Sequence, residues 1–439
     1  MQFDSMIQSV HAALPSVCYG FLVLVLLSGI VRLMLIARST VVLKKQVRSL
    51  RSVDYRRFQD SEHIMPVSLI LPAAGETRDL REQVENLLSL EFKQYELIVV
   101  ANSTHTEAWS SLKNAYQLLP FRQPYKKTLK SIRIEAVYRS AKDVRLVVLD
   151  SREESLAGAL NAGVNLSSYP IVAPVYPDMR LSRDALLKTV YAFVSDSACV
   201  YIGSFARVGK DLADSDCKKN SFLTEQQYLE RLRTLYINRA GYADLGVYLP
   251  LSRTFAAFLK SAVFESGGFS ETAKAESADL LLRIHARKRN EKRAYSARML
   301  PDALCYQLPQ TRKRDVLSAI KRGQKEMRDT MRRNKVVARE VSGAVETRFA
   351  EKYWPFVELL GVLVVICAGA IGAVSPLFTV LYLLLGVLLG AVQTALSALL
   401  EEYAFQRQTD TGLLLRRYLL ALVDQLGFRL STALTRIFS

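Results

Sequence analysis

Residues 171–187 read IVAPVYPDMRLSRDALL. The first five form an unbroken apolar run of strand length that runs on to Tyr176 and Asp178, and Leu186, Val190 and Phe193 fall on one face of a following helix. A strand that is apolar throughout, instead of alternating, is covered on both faces, as in a parallel sheet sandwiched by helices. Similar runs occur at 67–72, 96–100, 144–149 and 199–205, and amphipathic stretches separate them. Leu80, Val84, Leu87 and Leu88 form one apolar face, and Leu156, Leu160 and Val164 form another. The expected fold is therefore α/β with a mainly parallel sheet over 65–310. In such sheets ligands sit beyond the carboxyl ends of the strands, here the loops 72–76, 101–104, 150–154 and 176–180.

The chain of 439 residues is 50% hydrophobic yet 23% charged, so its apolar residues must be concentrated. Segments 15–37, 355–374 and 376–400 are each long enough to span a bilayer. No Lys or Arg precedes the first, whereas Arg38, Lys44, Lys45, Arg48, Arg51, Arg56 and Arg57 follow it. That asymmetry predicts an extracytoplasmic 1–14, a basic juxtamembrane linker over 38–64 and a cytoplasmic main domain. A cleaved signal peptide would carry its positive charge ahead of the apolar run.

The net charge of +17 comes without a nucleic-acid recognition motif, so nucleic acid is not expected and the lipid membrane is the expected partner. Basic helices at 311–353 would lie on the cytoplasmic face, or present a solvated charged surface. Segment 413–438 is apolar but interrupted by Arg416, Arg417, Asp424, Arg429 and Arg436, which suits an amphipathic interfacial helix better than a further span. Neither the five cysteines nor the four histidines have the spacing of a zinc site.

Four stretches in order resemble the membrane-bound family 2 glycosyltransferases, the inverting enzymes that build polymers such as cellulose and hyaluronan. VSLILPAAGE (67–76) resembles the opening strand and Pro-Ala-x-Asn-Glu loop, and ESLAGALNAG (154–163) the Gly-Lys-x-x-Ala-Leu-Asn-x-Gly helix start. The stretch 171–187 resembles the strand that ends in Asp-x-Asp, and SGGFSETAKAESADLLLRI (266–284) the Gly-Gly-Phe segment leading to Glu-Asp-x-Asp-Leu.

The resemblance implies a GT-A type nucleotide-sugar transferase domain flanked by transmembrane helices, a UDP-sugar or UDP ligand, and Mg2+ or Mn2+. It also implies a polysaccharide product and a place in the bacterial inner membrane. It would put Pro72, Ala74, Glu76, Asn102, Tyr176 and Arg322 around nucleotide and substrate, Asp178 at the metal, and Glu276 or Asp279 near the base.

The same motifs are depleted. Tyr176 replaces the first acid of the metal pair, Ala101 and Asn102 stand where an Asp would read the nucleoside, and Leu156 replaces the lysine. Ser277 stands at the base position, and SAIKRGQ (318–324) keeps Arg322 without the Gln and Trp of Gln-x-x-Arg-Trp. The expectation is a catalytically impaired member acting with other subunits of a polysaccharide synthesis or export complex. The alternative is an active inverting transferase with a rearranged site. Simpler roles exist for the surviving acids: Glu76 at a helix start, Asp178 as a helix cap, and Glu276 and Asp279 paired with Arg283 or Arg287.

Overall fold

The computed structural model describes all residues except 1, 52, 54, 62–63, 74–79, 123–124, 209–221, 237–253, 308, 336, 338–343, 406–410 and 438–439. Its strands are β1 (Val67–Ala73), β2 (Tyr95–Ala101), β3 (Leu118–Pro120), β4 (Ala136–Ser140), β5 (Leu146–Asp150), β6 (Ile171–Pro174), β7 (Met179–Leu181), β8 (Cys199–Val208), β9 (Ala256–Leu259) and β10 (Ser296–Gln307). The helices of the α/β part, with the long one before it, are α1 (Gln2–Arg51), α2 (Tyr55–Gln59), α3 (Leu80–Leu88), α4 (Thr106–Tyr116), α5 (Leu156–Leu166), α6 (Ala185–Val194), α7 (Phe222–Leu235), α8 (Lys260–Glu265) and α9 (Glu276–Asn290). After β10 come α10 (Lys313–Arg333), α11 (Ala344–Ala370), α12 (Pro376–Phe405), α13 (Thr411–Leu426) and α14 (Phe428–Ile437).

The ten strands form one sheet in the order β3-β4-β5-β2-β1-β6-β9-β8-β10-β7. Parallel pairing joins the central β5, β2, β1 and β6, and also β8 with β10. Antiparallel pairing flanks that centre: β9 lies between β6 and β8, β3 and β4 close one edge, and β7 closes the other. The sheet is thus mixed, with parallel pairing between its longest strands. The short antiparallel pieces Leu118–Pro120 and Met179–Leu181 carry too few residues for any period to show in the sequence.

The side-chain period of two explains why the central strands are apolar throughout. On β1 and β2, Leu69, Leu71, Leu97 and Val99 share a core with Leu80, Val84 and Leu87 of α3. The intervening Ile98 and Val100 pack instead with Ala159, Ala162 and Leu166 of α5. Helix α5 approaches so closely that a Cβ on Gly163 would lie 2.4 Å from Cγ2 of Ile70. The glycine in Ala-Leu-Asn-Ala-Gly is therefore required by helix-to-strand contact.

Stretches His11–Val41 of α1 and Pro376–Glu402 of α12 are long and apolar enough to cross a membrane, whereas the apolar part of α11, Trp354–Ala370, is shorter. Val23, Ile30 and Met34 of α1 and Leu377, Leu384 and Leu388 of α12 are exposed. Segment 413–438, expected as one helix, is two helices separated at Gly427.

Helix α7 is tied to the C-terminal helices through buried ion pairs. Arg233 lies 2.5 Å from both Glu230 and Asp424, and Arg436 pairs with Glu230. Burial pushes the Glu230 carboxyl up, but Arg436 and Arg233 more than offset this and hold it below the usual range. Arg417 reaches Glu225 at 3.3 Å and covers the Tyr228 ring at 4.5 Å, while Arg207 of β8 pairs with Glu401 of α12 at 2.7 Å.

Candidate functional site

Strand β6 ends at Pro174, and the next residues turn sharply at the carboxyl edge of the sheet. The Val175 N–H donates to the Ile70 carbonyl at 2.9 Å, and the Met179 N–H closes the turn onto the Tyr176 carbonyl at 3.0 Å. Gln83 of α3, fully buried, donates from Nε2 to the carbonyls of Tyr176 (2.8 Å) and Met179 (3.1 Å). A buried amide spanning both ends of a turn fixes its backbone. Asp178 projects from that turn and is exposed. Arg180 beside it pairs with Glu82 at 2.9 Å.

Tyr176 points the other way and is 2% exposed, with its hydroxyl 3.3 Å from Oγ of Ser277 in the first turn of α9. The two residues that the resemblance would set at a metal acid and at the base are therefore in contact. Two hydroxyls can share one hydrogen bond with either as donor, whereas two carboxylates at this separation would repel unless a cation or proton lay between them. Tyr201 lies close by: burial pushes its hydroxyl well above the usual phenol range, and Tyr176 adds to the shift.

The first turn of α9 carries Glu276, Ser277 and Asp279, all buried. Asp279 accepts from Arg283 Nε at 2.8 Å and from Asn334 Nδ2 at 3.0 Å, so each oxygen has a donor. Arg283 also donates to the carbonyls of Ser266 and, at 2.6 Å, Gly268. It thereby ties the Gly-Gly turn to α9, where Gly267 and Gly268 take φ of +78° and +72° that disfavour other residues.

Asn161 of α5 completes this junction. Its Nδ2 donates to the carbonyls of Lys130 (2.8 Å) and Phe269 (2.9 Å), and its Oδ1 accepts the Phe269 N–H at 2.7 Å. The Ala-Leu-Asn and Gly-Gly-Phe stretches, more than a hundred residues apart, are thus joined by one side chain.

The loop after β2 is folded on itself: Asn102 Oδ1 accepts from the Thr104 N–H (2.9 Å) and hydroxyl (2.7 Å). Asp150, buried at the end of β5, accepts the Ser103 N–H at 3.0 Å, and His105 meets Glu154 at 3.3 Å. Asp150 was not among the residues singled out in the sequence, although a lone acid closing an apolar strand was a usable signal. Pro72 is buried in β1 opposite Val100, and Leu156 opens α5 behind Ser155, whose side chain caps the Gly158 N–H at 3.1 Å. Ala74 and Glu76 lie outside the described residues. Arg322 is exposed on α10, twelve residues before Asn334 and hence roughly 18 Å along the helix from Asp279's partner. The structure brings Tyr176, Ser277 and Asp279 to one junction and leaves Arg322 apart from Asp279.

Asp178 is the described residue placed to give a divalent ion a carboxylate, with the rest of the shell left to phosphate oxygens or water. Mg2+ and Mn2+ take about six oxygens, and among the described residues no three His, Cys, Asp or Glu side chains converge. Asp178 supplies one carboxylate, and the neighbouring Tyr176 hydroxyl is turned to Ser277.

No family model matches the sequence. No curated protein matches it either. Among solved structures the chain is similar to mannosyltransferase PcManGT from Pyrobaculum calidifontis in complex with GDP-Man and Mn2+, at 14% identity and a TM-score of 0.49, covering 92% of this chain and 99% of that one. It is also similar to S. aureus TarS 1-349, at 14% identity and a TM-score of 0.38, covering 83% of this chain and 91% of that one.

His285 of α9 makes stability near the site sensitive to acid. Its Nδ1 is 2.6 Å from the Tyr295 hydroxyl, its Nε2 is buried without a partner among the described residues, and burial lowers its pKa to about 4. The unfolded chain takes up a proton near pH 6.5 that the folded chain refuses until about pH 4. The resulting stability is present above pH 6.5 and is lost as pH falls through that window, by about 3 kcal/mol in total. Chemical denaturation at pH 7 and pH 4 should show a smaller acid-induced loss in His285→Phe than in the unaltered chain. Equal losses would rule this group out as the cause.

Proposed function

We propose that this chain is a membrane protein of the family 2 glycosyltransferase type, of cell-envelope or extracellular polysaccharide synthesis, catalytically impaired and acting as a partner subunit. The observation that supports impairment is the Tyr176–Ser277 contact, which occupies with two neutral hydroxyls the place where acids are expected. Loss of a positioned base alone slows such a reaction by about 10²–10⁴. Support for the family comes from the order of the four resembling stretches, two of which Asn161 joins in space. The bacterial inner membrane, with the α/β part cytoplasmic, is the location proposed from the basic flank of the first apolar segment.

Asp178 is the residue proposed to meet a nucleoside diphosphate, since it is the exposed acid of the turn. Any Mg2+ or Mn2+ would then arrive with the diphosphate, whose oxygens supply most of its shell. The purified membrane protein should bind UDP or a UDP-sugar in the presence of Mg2+ without measurable sugar transfer. Asp178→Asn should weaken that binding by about tenfold, equivalent to about 1.4 kcal/mol. Robust transfer would sink the impaired reading.

A second reading, an active transferase with a rearranged site, is favoured by the two acids in the first turn of α9. It requires Glu276 or Asp279 as base, and Asp178→Ala would then abolish transfer. Asp279 would first have to give up Arg283 or Asn334.

A further inference from the structure

A cavity of about 570 Å³ lies between α1, α11 and α12 on one side and α7 and α14 on the other. Its apolar wall includes Val25, Leu35, Val362, Leu383 and Val387. Its charged wall gathers groups from three sources: Arg32 and Glu358 from within the apolar helices, Glu230 and Arg233 from α7, and Arg429 and Arg436 from α14. Arg32 pairs with Glu358 at 2.9 Å and Arg429 approaches the same carboxylate at 3.6 Å, while Arg233 and Arg436 both hold Glu230.

The wall thus carries four guanidiniums against two carboxylates. Counting Asp424, which Arg233 also reaches, still leaves a positive surplus. Charge at this depth is costly unless it is compensated, and residues that retain it mark sites. A surplus of guanidinium facing an apolar wall is complementary to an anion carrying a hydrocarbon chain. Guanidinium donors match the oxygens of a phosphate in a fork geometry.

We propose that this cavity holds one anionic phospholipid of the surrounding bilayer, its phosphate against Arg429 and Arg436 and an acyl chain along Val25, Leu35, Val362 and Leu383. The inference rests on the reading of α1 and α12 as membrane spans. It explains why α7, an element of the sheet domain, contributes charge to a space lined by apolar helices. The lipid would complete the junction between the two parts of the molecule.

The test is lipid retention by the full chain, released from nanodiscs of phosphatidylglycerol or phosphatidylcholine and read by native mass spectrometry. Phosphatidylglycerol should be retained preferentially. The double variant R429Q/R436Q removes the surplus charge yet leaves Glu358 with Arg32 and Glu230 with Arg233. It should lower phosphatidylglycerol retention roughly tenfold or more, the loss expected of one or two charge-assisted contacts. Gly386→Leu fills the cavity without altering charge, because a Cβ there meets no atom within 4 Å. It should reduce retention as well.

Equal retention of both lipids by the unaltered chain, unchanged retention in both variants, or displacement of the lipid by inorganic phosphate alone would overturn the proposal. Alkaline carbonate extraction separates the two readings. Release of the chain by carbonate would refute membrane spanning itself, whereas a chain that stays in the membrane without selective lipid refutes this inference alone.

Discussion

Arg233→Met is expected to destabilise the protein by about 3–5 kcal/mol, as when one partner is removed from a buried ion pair. Arg233 is nearly inaccessible and sits between two carboxylates at 2.5 Å, with Thr394 Oγ1 accepting at 3.3 Å. Methionine matches the length of the stem but leaves Asp424, fully buried, facing no guanidinium from α7. Thermal unfolding in mild detergent would measure the loss. Adding Asp424→Leu to Arg233→Met should recover part of it, because an apolar pair replaces an orphaned charge. No recovery would mean that packing, and not charge, fixes α7 to α13.

Asn161→Leu is expected to destabilise by about 3–6 kcal/mol, because leucine keeps the volume but strands two buried backbone groups at about 1–3 kcal/mol each and a third, part-buried one at less. Those groups are the carbonyls of Lys130 and Phe269 and the Phe269 N–H. Because the same side chain holds the segment before Phe269 against α5, the Phe269 amide should also lose hydrogen-exchange protection ahead of the sheet core. Chemical denaturation and amide exchange together check this. A loss below about 1 kcal/mol would mean that water replaces the side chain at all three groups.

The central strands were legible because each is apolar on both faces, and the structure covers both: Leu69 and Leu71 meet α3, while Ile98 and Val100 meet α5. Strand β9 was not legible, since AAFL is too short to show a period, and its antiparallel insertion between β6 and β8 follows from tertiary pairing. The C-terminal break at Gly427 was hidden for a related reason, since apolar and basic residues run through it on both sides. Within the site, Tyr176 and Ser277 were each visible in the sequence, one at a time. Their contact was not, because a hydrogen bond between residues a hundred positions apart leaves no local signal. The Gln83 clamp on the turn was missed because a glutamine on an amphipathic helix looks like a solvated residue until its burial is known.

The Tyr176–Ser277 contact also constrains how this sequence can change over generations. Tyr176→Asp alone would remove a buried aromatic ring, a loss of about 3–5 kcal/mol for a large side chain cut short, and would leave a carboxylate facing a serine that cannot neutralise it. Ser277→Asp alone would set a carboxylate against a buried phenol beside Glu276 and Asp279. Each single change costs stability through the other residue, so the two positions are energetically coupled.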